Sequence, residues 1–335
     1  MKACIRMLLA ATFLLGSTAA FAWGAPGHQT VGSIADSLLV GTNAAKAVKS
    51  ILGTEKLKTA SLWADCAKGV TGSKPPLKYV VNSKFAECKP FETATGKAQM
   101  VDLVTRNLSA CMPGPGDEAC HRQYHYADVA IERDVYARSE KGTSDHDIVS
   151  AVNAAIAVLQ GGASPSPISF TSKREALRAL AHYVGDIHQP LHVGAIYLDV
   201  SGHEVDPDAG TYDPATKTQG GNKILDQGKD LHTAVWDAIP ASLTTAKFKD
   251  RVAQAKLVPA TPGPVTEWAA AWASDTVLAS HTAFSGLTFG AENTSKGTWP
   301  VTEPAGYSAA RVALQKTQLV KAGARLAQLL QAIFP

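Results

Sequence analysis

The stretch His182-Tyr-Val-Gly-Asp186-Ile-His188-Gln-Pro190-Leu-His192 constrains this chain more than any other segment. His182 and Asp186 are four residues apart, so on a helix both side chains leave from one face. An imidazole and a carboxylate placed this way can hold one zinc ion. Pro190 cannot continue a helix and biases the residue before it towards extended backbone, so the helix should stop near Gln189. His192, just beyond, is then free to fold back and bind a second ion. His188 leaves on another face and reads as a supporting or ordinary polar residue.

The rest of the chain supplies a helical setting. Apolar residues recur at three- and four-residue spacing through 26–39, 44–52, 146–159, 173–188, 231–239, 265–283 and 303–334, which predicts helices there. The last is long and amphipathic, with Arg311, Lys316, Lys321 and Arg325 on its polar side. Strand signals are few, Lys78 to Val81 being the best. Ser201 to Gly221 is rich in Gly, Asp, Thr and Pro and reads as a long loop. With 45% hydrophobic and 18% charged residues in 335, a substantial core is expected and disorder is not. No repeat or linker divides the chain, so one mostly α-helical domain over 23–335 follows.

Residues 1–22 read as a signal peptide. Lys2 and Arg6 lead into the apolar run Met7 to Gly16, too short to span a bilayer, and Ala20-Phe21-Ala22 has the small-x-small cleavage pattern. Cleavage before Trp23 would deliver a secreted or periplasmic protein without stable membrane association; an uncleaved anchor is the alternative. It removes two of 32 basic residues and none of 29 acidic ones, leaving 30 − 29 = +1. That balance excludes tight duplex binding through a basic groove. Cys4 leaves with the signal. Cys66, Cys88, Cys111 and Cys120 read as two disulfides in an oxidising compartment. Three connectivities are open. Cys111 and Cys120 bracket the turn MPGPGDEA, which favours pairing them with each other and Cys66 with Cys88.

Further metal-ligand types gather in short motifs. Trp23-Gly-Ala-Pro-Gly-His28 stands at the expected new terminus. A free α-amine has a pKa of about 7.7–8.0, gives up its proton readily to a metal, and can chelate together with its own carbonyl. Trp63-Ala64-Asp65, Tyr124-His125-Tyr126-Ala127-Asp128 and Leu231-His232-Thr-Ala-Val-Trp236-Asp237 add two histidines and several carboxylates. Each alone has a plain structural reading as an N-cap aspartate, a buried histidine or a core tryptophan. Together they total enough ligands for several ions.

In this order WGAPGH, WAD, HYAD, HYVGDIHQPLH, GGN at 220–222, LHTAVWD and the C-terminal KAGARLAQLL resemble the nuclease S-one/P-one family. These are single-strand-specific zinc nucleases related to zinc-dependent phospholipase C. The resemblance implies a single-domain, multi-helix phospholipase C/zinc nuclease-like fold with few short strands and three zinc ions per chain. It implies that a close pair of ions shares Asp186. One would also take Asp65, His125 and His182; the other would take the Trp23 amine and carbonyl with His28. The third would take His192, His232 and Asp237. The implied activity is hydrolysis of single-stranded DNA and RNA to 5′-phosphate products by a zinc-activated hydroxide, and removal of phosphate from 3′-nucleotides, by a monomer. Asp128 and Lys68 match an acidic and a basic neighbour that support transition-state charge and nucleophile orientation. Tyr126 matches an aromatic on which a base stacks, which favours an unpaired strand.

One spacing departs from the family. His232 and Asp237 are five apart rather than four, which on a regular helix turns them about 140° from one another. Either a π-bulge lies there or His232 precedes the helix proper, and Asp230 is a conceivable substitute ligand. Two other readings compete. A zinc phospholipase C would use similar ligands, but exposed apolar loops would be expected near its cleft, and 201–221 is polar. A non-catalytic secreted metal-binding protein is the rival from a different class.

Overall fold

The computed structural model describes residues 23–114, 117–244 and 248–335. The signal-peptide reading of 1–22 lies outside the described residues. Helix α1 (Gly24–Leu38) starts directly after Trp23, whose backbone is left-handed at φ 52°. Thr42 caps α2 (Asn43–Leu52) by accepting from the Ala45 N–H, and Gly53 at φ 73° ends it. Short helices α3 (Leu57–Ala60) and α4 (Trp63–Ala67) follow, then α5 (Ala94–Arg106), capped by Thr93, and α6 (Cys120–Gln123). Asp147 caps α7 (Ile148–Leu159) and Ser172 caps α8 (Lys173–Asp186).

Chain direction after α8 follows from Pro190. Its missing N–H costs nothing in a first helical turn, so it opens α9 (Pro190–Val193) instead of extending α8. The Gln189 side chain caps α9 by accepting from Leu191 N–H. A π-helix (Leu231–Trp236), α10 (Ala241–Thr244), α11 (Phe248–Ala255), α12 (Val265–Phe284) and α13 (Tyr307–Ile333) complete the helical set.

α8 is the central element. Every residue from Glu175 to Asp186 is buried, between α7, α13, α1, α2 and the short helices α3 and α4. A polar pair inside such a helix is costly unless something satisfies it. α1 lies along α13, and the approach is close because Gly323 has no side chain: a Cβ there would stand 2.6 Å from Ile34 Cβ. The principal core runs through Trp63, Tyr183, Leu180, Val152, Trp272 and Leu326. Each fully buried side chain of this kind contributes about 1.5–3 kcal/mol.

Strands are short. β1 (Val70–Thr71) pairs antiparallel with β2 (Lys78–Tyr79), and β3 (Val129–Ala130) pairs in parallel with β4 (Gly194–Ala195). The second pair matters for the site, since with the Ala127 N–H to His192 carbonyl bond of 2.8 Å it ties the 124–128 motif to the end of the α8–α9 segment. A four-stranded sheet runs in the order β6 (Lys229–Asp230), β5 (Ile224–Asp226), β8 (Trp299–Thr302), β7 (Thr288–Phe289). It packs with Trp236, Phe284 and Tyr307 in a second core. Strands of two to four residues carry no readable alternation, which is why this sheet was not expected from the sequence. Helices α3, α4, α5, α6, α9, α10 and α11 were also missed; all but α5 and α11 are single turns. The mostly α-helical expectation holds. Both expected disulfides are present, Cys66–Cys88 and Cys111–Cys120. Among the described residues no helix is long and apolar enough to cross a membrane.

Candidate metal centre

Asp186, at the last turn of α8 and fully buried, is the hub. Its Oδ2 lies 2.9 Å from His125 Nδ1 and 3.0 Å from His182 Nε2, the i, i+4 partner. Its Oδ1 lies 3.1 Å from His28 Nε2 without the alignment of a hydrogen bond. The His28 and His182 rings stack at 3.9 Å between centroids. Asp65, from α4, stands 3.5 Å from His182 Nε2 and 3.8 Å from His125 Nδ1, and holds Lys68 Nζ at 2.8 Å. Two groups able to share a cation result: His28, Asp65 and His182, and His125, His182 and Asp186.

A third group gathers His192, His232 and Asp237. The five-residue spacing is resolved by the backbone. Leu231 to Trp236 form a π-helix, the Asp237 N–H bonds to the His232 carbonyl at 3.0 Å, and the wider turn returns Asp237 Oδ2 to 3.7 Å from His232 Nε2. Asp230 is not a ligand in this arrangement. Its carboxylate caps the π-helix, accepting from the Thr233 and Ala234 N–H groups.

Tautomers can be read from the second layer of contacts. His182 Nδ1 lies 2.6 Å from the Ser61 carbonyl, His192 Nδ1 2.7 Å from the His125 carbonyl, and His232 Nδ1 2.7 Å from the Gly220 carbonyl. A carbonyl only accepts, so each Nδ1 carries the proton and each Nε2 presents a lone pair to the centre, as metal-ligating histidines do. His188 makes the same bond to Val184, but its Nε2 faces Arg325 Nη1 at 2.9 Å and not the cluster. It is a structural residue, as its position suggested.

The buried acceptors do not satisfy one another. Neither His28 ring nitrogen, nor His192 Nε2, Asp186 Oδ1 or Asp237 Oδ2, has a hydrogen-bond partner. Lone pairs turned inward without a donor are costly, and a cation between them removes the cost. The residues therefore fit a metal cluster. Titration points the same way. Burial alone would raise the Asp186 carboxyl, but the neighbouring His182, His125 and His28 imidazoles outweigh it and hold it well below the usual carboxylate range. Burial lowers His125, His192 and His28, assisted by Lys68, His232 and His182 respectively. His232 is pushed down to about 4, chiefly by burial. Ionised carboxylate and neutral imidazole are the forms that bind metal. Two groups depart from this: burial raises Asp237 well above the usual range, against the Gln189 and Trp23 donors, and His182 is raised because burial is outweighed by the Asp186 and Asp65 carboxylates.

The Trp23 backbone nitrogen donates to Asp237 Oδ1 at 3.0 Å, in the third group. The Trp23 carbonyl accepts from Gly27 N–H at 3.2 Å, and the indole N–H bonds the Gly185 carbonyl at 2.7 Å. Lys68 is paired with Asp65. Asp128 is buried, and its backbone bonds Gly142 and the Tyr197 hydroxyl. Burial pushes its carboxyl up to about 6 against the opposing charge of Lys217. Tyr126, on the same segment, is half-buried beside Glu118. The residue that sequence reasoning missed is Gln189. Fully buried, it donates from Nε2 to Asp237 Oδ1 at 2.9 Å and so joins the α8–α9 turn to the π-helix. It stood inside the motif already singled out, but nothing in its spacing pointed to a distant carboxylate.

The sequence pattern of the S1/P1 nuclease family matches residues 114–335. The chain belongs to the S1/P1 nuclease family. Endonuclease 2 of Arabidopsis thaliana is similar, at 27% identity over 193 residues, which cover 56% of this chain and 51% of that protein. The chain thus spans about half the length of this curated relative. The S1/P1 match includes His125, His182, Asp186, His192, His232 and Asp237. Trp23, His28 and Asp65 precede it, and the fold brings them to the same centre.

Proposed function

We propose that this protein is a secreted zinc-dependent phosphodiesterase that cleaves single-stranded DNA and RNA to 5′-phosphate products and removes phosphate from 3′-nucleotides. The observation that carries the reading is the convergence on Asp186 of histidines from α1, α8 and the 124–128 segment, beside a third His/Asp group, with lone pairs turned inward. Membership of the S1/P1 nuclease family supports the reaction class.

Three zinc ions would be held by Asp65, His125, His182 and Asp186; by the Trp23 amine and carbonyl, His28 and Asp186; and by His192, His232 and Asp237. Bound zinc would supply Lewis acidity, lowering the pKa of water towards 7 and offsetting phosphate charge. The chain supplies the rest. Ser61, His125 and Gly220 carbonyls lock three imidazoles in the ligating tautomer. Lys68 brings a positive charge to the Asp65 side of the centre, where a phosphate would approach. Asp128, titrating at about 6, can gain or lose a proton near neutral pH, which suits a role in orienting a nucleophile. The half-buried Tyr126 ring offers a face to an unpaired base, and duplex bases have theirs covered.

The test compares protein beginning at Trp23 with protein carrying one extra residue ahead of it. The expected result is about three zinc ions per chain and phosphate release from 3′-AMP in the first, with zinc and activity reduced in the second. Hydrolysis of phosphatidylcholine would favour the phospholipase reading. Fewer than two zinc ions, with no loss of thermal stability on chelation, would favour a non-catalytic protein.

A further inference from the structure

The polar side of α13 is aimed at the two ligand-bearing segments. Arg311, Gln315, Gln318 and Arg325 follow spacings of four, three and seven residues and fall within an arc of about 80° at 100° per residue. Arg311 Nη1 donates to the Val235 carbonyl and Gln315 Nε2 to the Trp236 carbonyl at 2.7 Å. Both carbonyls belong to the end of the π-helix, where a helix leaves acceptors without intrahelical partners. One turn further along, Gln318 Nε2 donates to the His188 carbonyl at 3.0 Å, and Arg325 Nη1 meets His188 Nε2 at 2.9 Å. A single helix face therefore holds the backbone carrying His232 and Asp237 and the backbone carrying Asp186 and His192.

The two glutamines do not look like stability choices. Both are fully buried, and in both Oε1 has no hydrogen-bond partner. A buried acceptor left this way costs about 1–3 kcal/mol, a cost that an apolar side chain of the same shape avoids. What glutamine supplies and methionine does not is a rigid donor at a fixed distance from a carbonyl. We propose that Gln315 and Gln318, with Arg311 and Arg325 at the ends of the stripe, are positioning residues that set the spacing between the His232/Asp237 ligands and the Asp186/His192 ligands. This rests on the metal reading above.

The experiment uses Gln315→Met and Gln318→Met in the full chain, with Gln328→Met as the control. Gln328 makes the same kind of bond on the same helix, to the Val258 carbonyl at 2.8 Å, in a loop without ligands. Zinc affinity by chelator competition and Tm are measured for the metal-free and zinc-loaded forms. Expected is roughly tenfold weaker zinc binding and a smaller zinc-induced rise in Tm for the 315 and 318 variants, as for other groups that orient metal ligands. Gln328→Met should keep the parent's affinity and rise, whatever its metal-free Tm. Parent-like affinity and an undiminished rise in both test variants would show that the bonds only stabilise the fold, and the proposal would be overturned. Should either variant fail to fold, Arg311→Met, at the half-buried end of the stripe, carries the same readout. If zinc gives the parent itself no rise in Tm, the metal reading falls first, and is seen to fall before any substitution is made.

Discussion

Gly185→Ala isolates the packing behind the candidate centre. In an open helix interior this change stabilises by about 1 kcal/mol, because alanine loses less backbone entropy. Gly185 lies inside α8 one residue before Asp186, and a Cβ there would stand 2.8 Å from His28 Nδ1 and 3.0 Å from His28 Cε1. Carbon contacts settle near 3.5–4.0 Å, so the ring would have to retreat by about 0.7 Å. His28 is fully buried, stacked on the His182 ring at 3.9 Å between centroids. Overpacking of this kind costs about 1–3 kcal/mol, so the metal-free protein should change by about 0 to 2 kcal/mol in the destabilising direction. The larger effect falls on metal. Ligand distances tolerate about 0.2 Å, and a displaced His28 should weaken zinc binding by about tenfold or more. Urea unfolding of metal-free protein and zinc titration by chelator competition measure the two effects separately. A variant about 1 kcal/mol more stable, with undiminished zinc affinity, would refute the idea that Gly185 makes room for a ligand.

Three other expectations follow from individual contacts. His121 is buried with neither ring nitrogen partnered, and burial, then Arg122 and Lys68, push it down to about 3. Its folded pKa lies below the unfolded value near 6.5, so its contribution is present above that pH and is lost as pH falls towards 3. NMR should find the ring neutral at pH 5, and a midpoint near 6.5 would contradict the burial argument. Asp230→Ala should cost about 1 kcal/mol through loss of the π-helix cap. Its zinc count should be unchanged in elemental analysis, whereas a ligand role would lower it. Gly142 has φ 84°, and a Cβ there would stand 2.0 Å from the Asp128 carbonyl oxygen. Gly142→Ala should therefore destabilise by at least about 2 kcal/mol in urea unfolding and reduce nucleotide hydrolysis, since the Asp128 backbone must move.

Local motifs were legible where the chemistry is local. The i, i+4 pair His182 and Asp186 meets because helix geometry alone brings it together, and Pro190 redirects the chain for a reason contained in its own ring. The turn between Cys111 and Cys120 likewise announced a short disulfide. The His232–Asp237 spacing could be recognised as irregular but not resolved. Whether the extra residue widens a turn or falls outside the helix depends on what holds the turn open, and here that includes the Asp230 cap and the α13 side chains on Val235 and Trp236. Of the short strands only β2, inside the expected 78–81, was legible, because two to four residues carry too little pattern.

By itself the amino-acid order determined the helical class, the punctuation at Pro190, and the inventory of histidines and carboxylates. These depend on interactions within a few residues of one another. The tertiary structure decided which of those groups share a cation. Asp65 reaches His182, Gln189 reaches Asp237, and the Trp23 nitrogen meets Asp237 across 214 residues. Such contacts are set by how α1, α8, α12 and α13 pack, and helix packing is governed by side-chain shape summed over whole faces, which no short motif records.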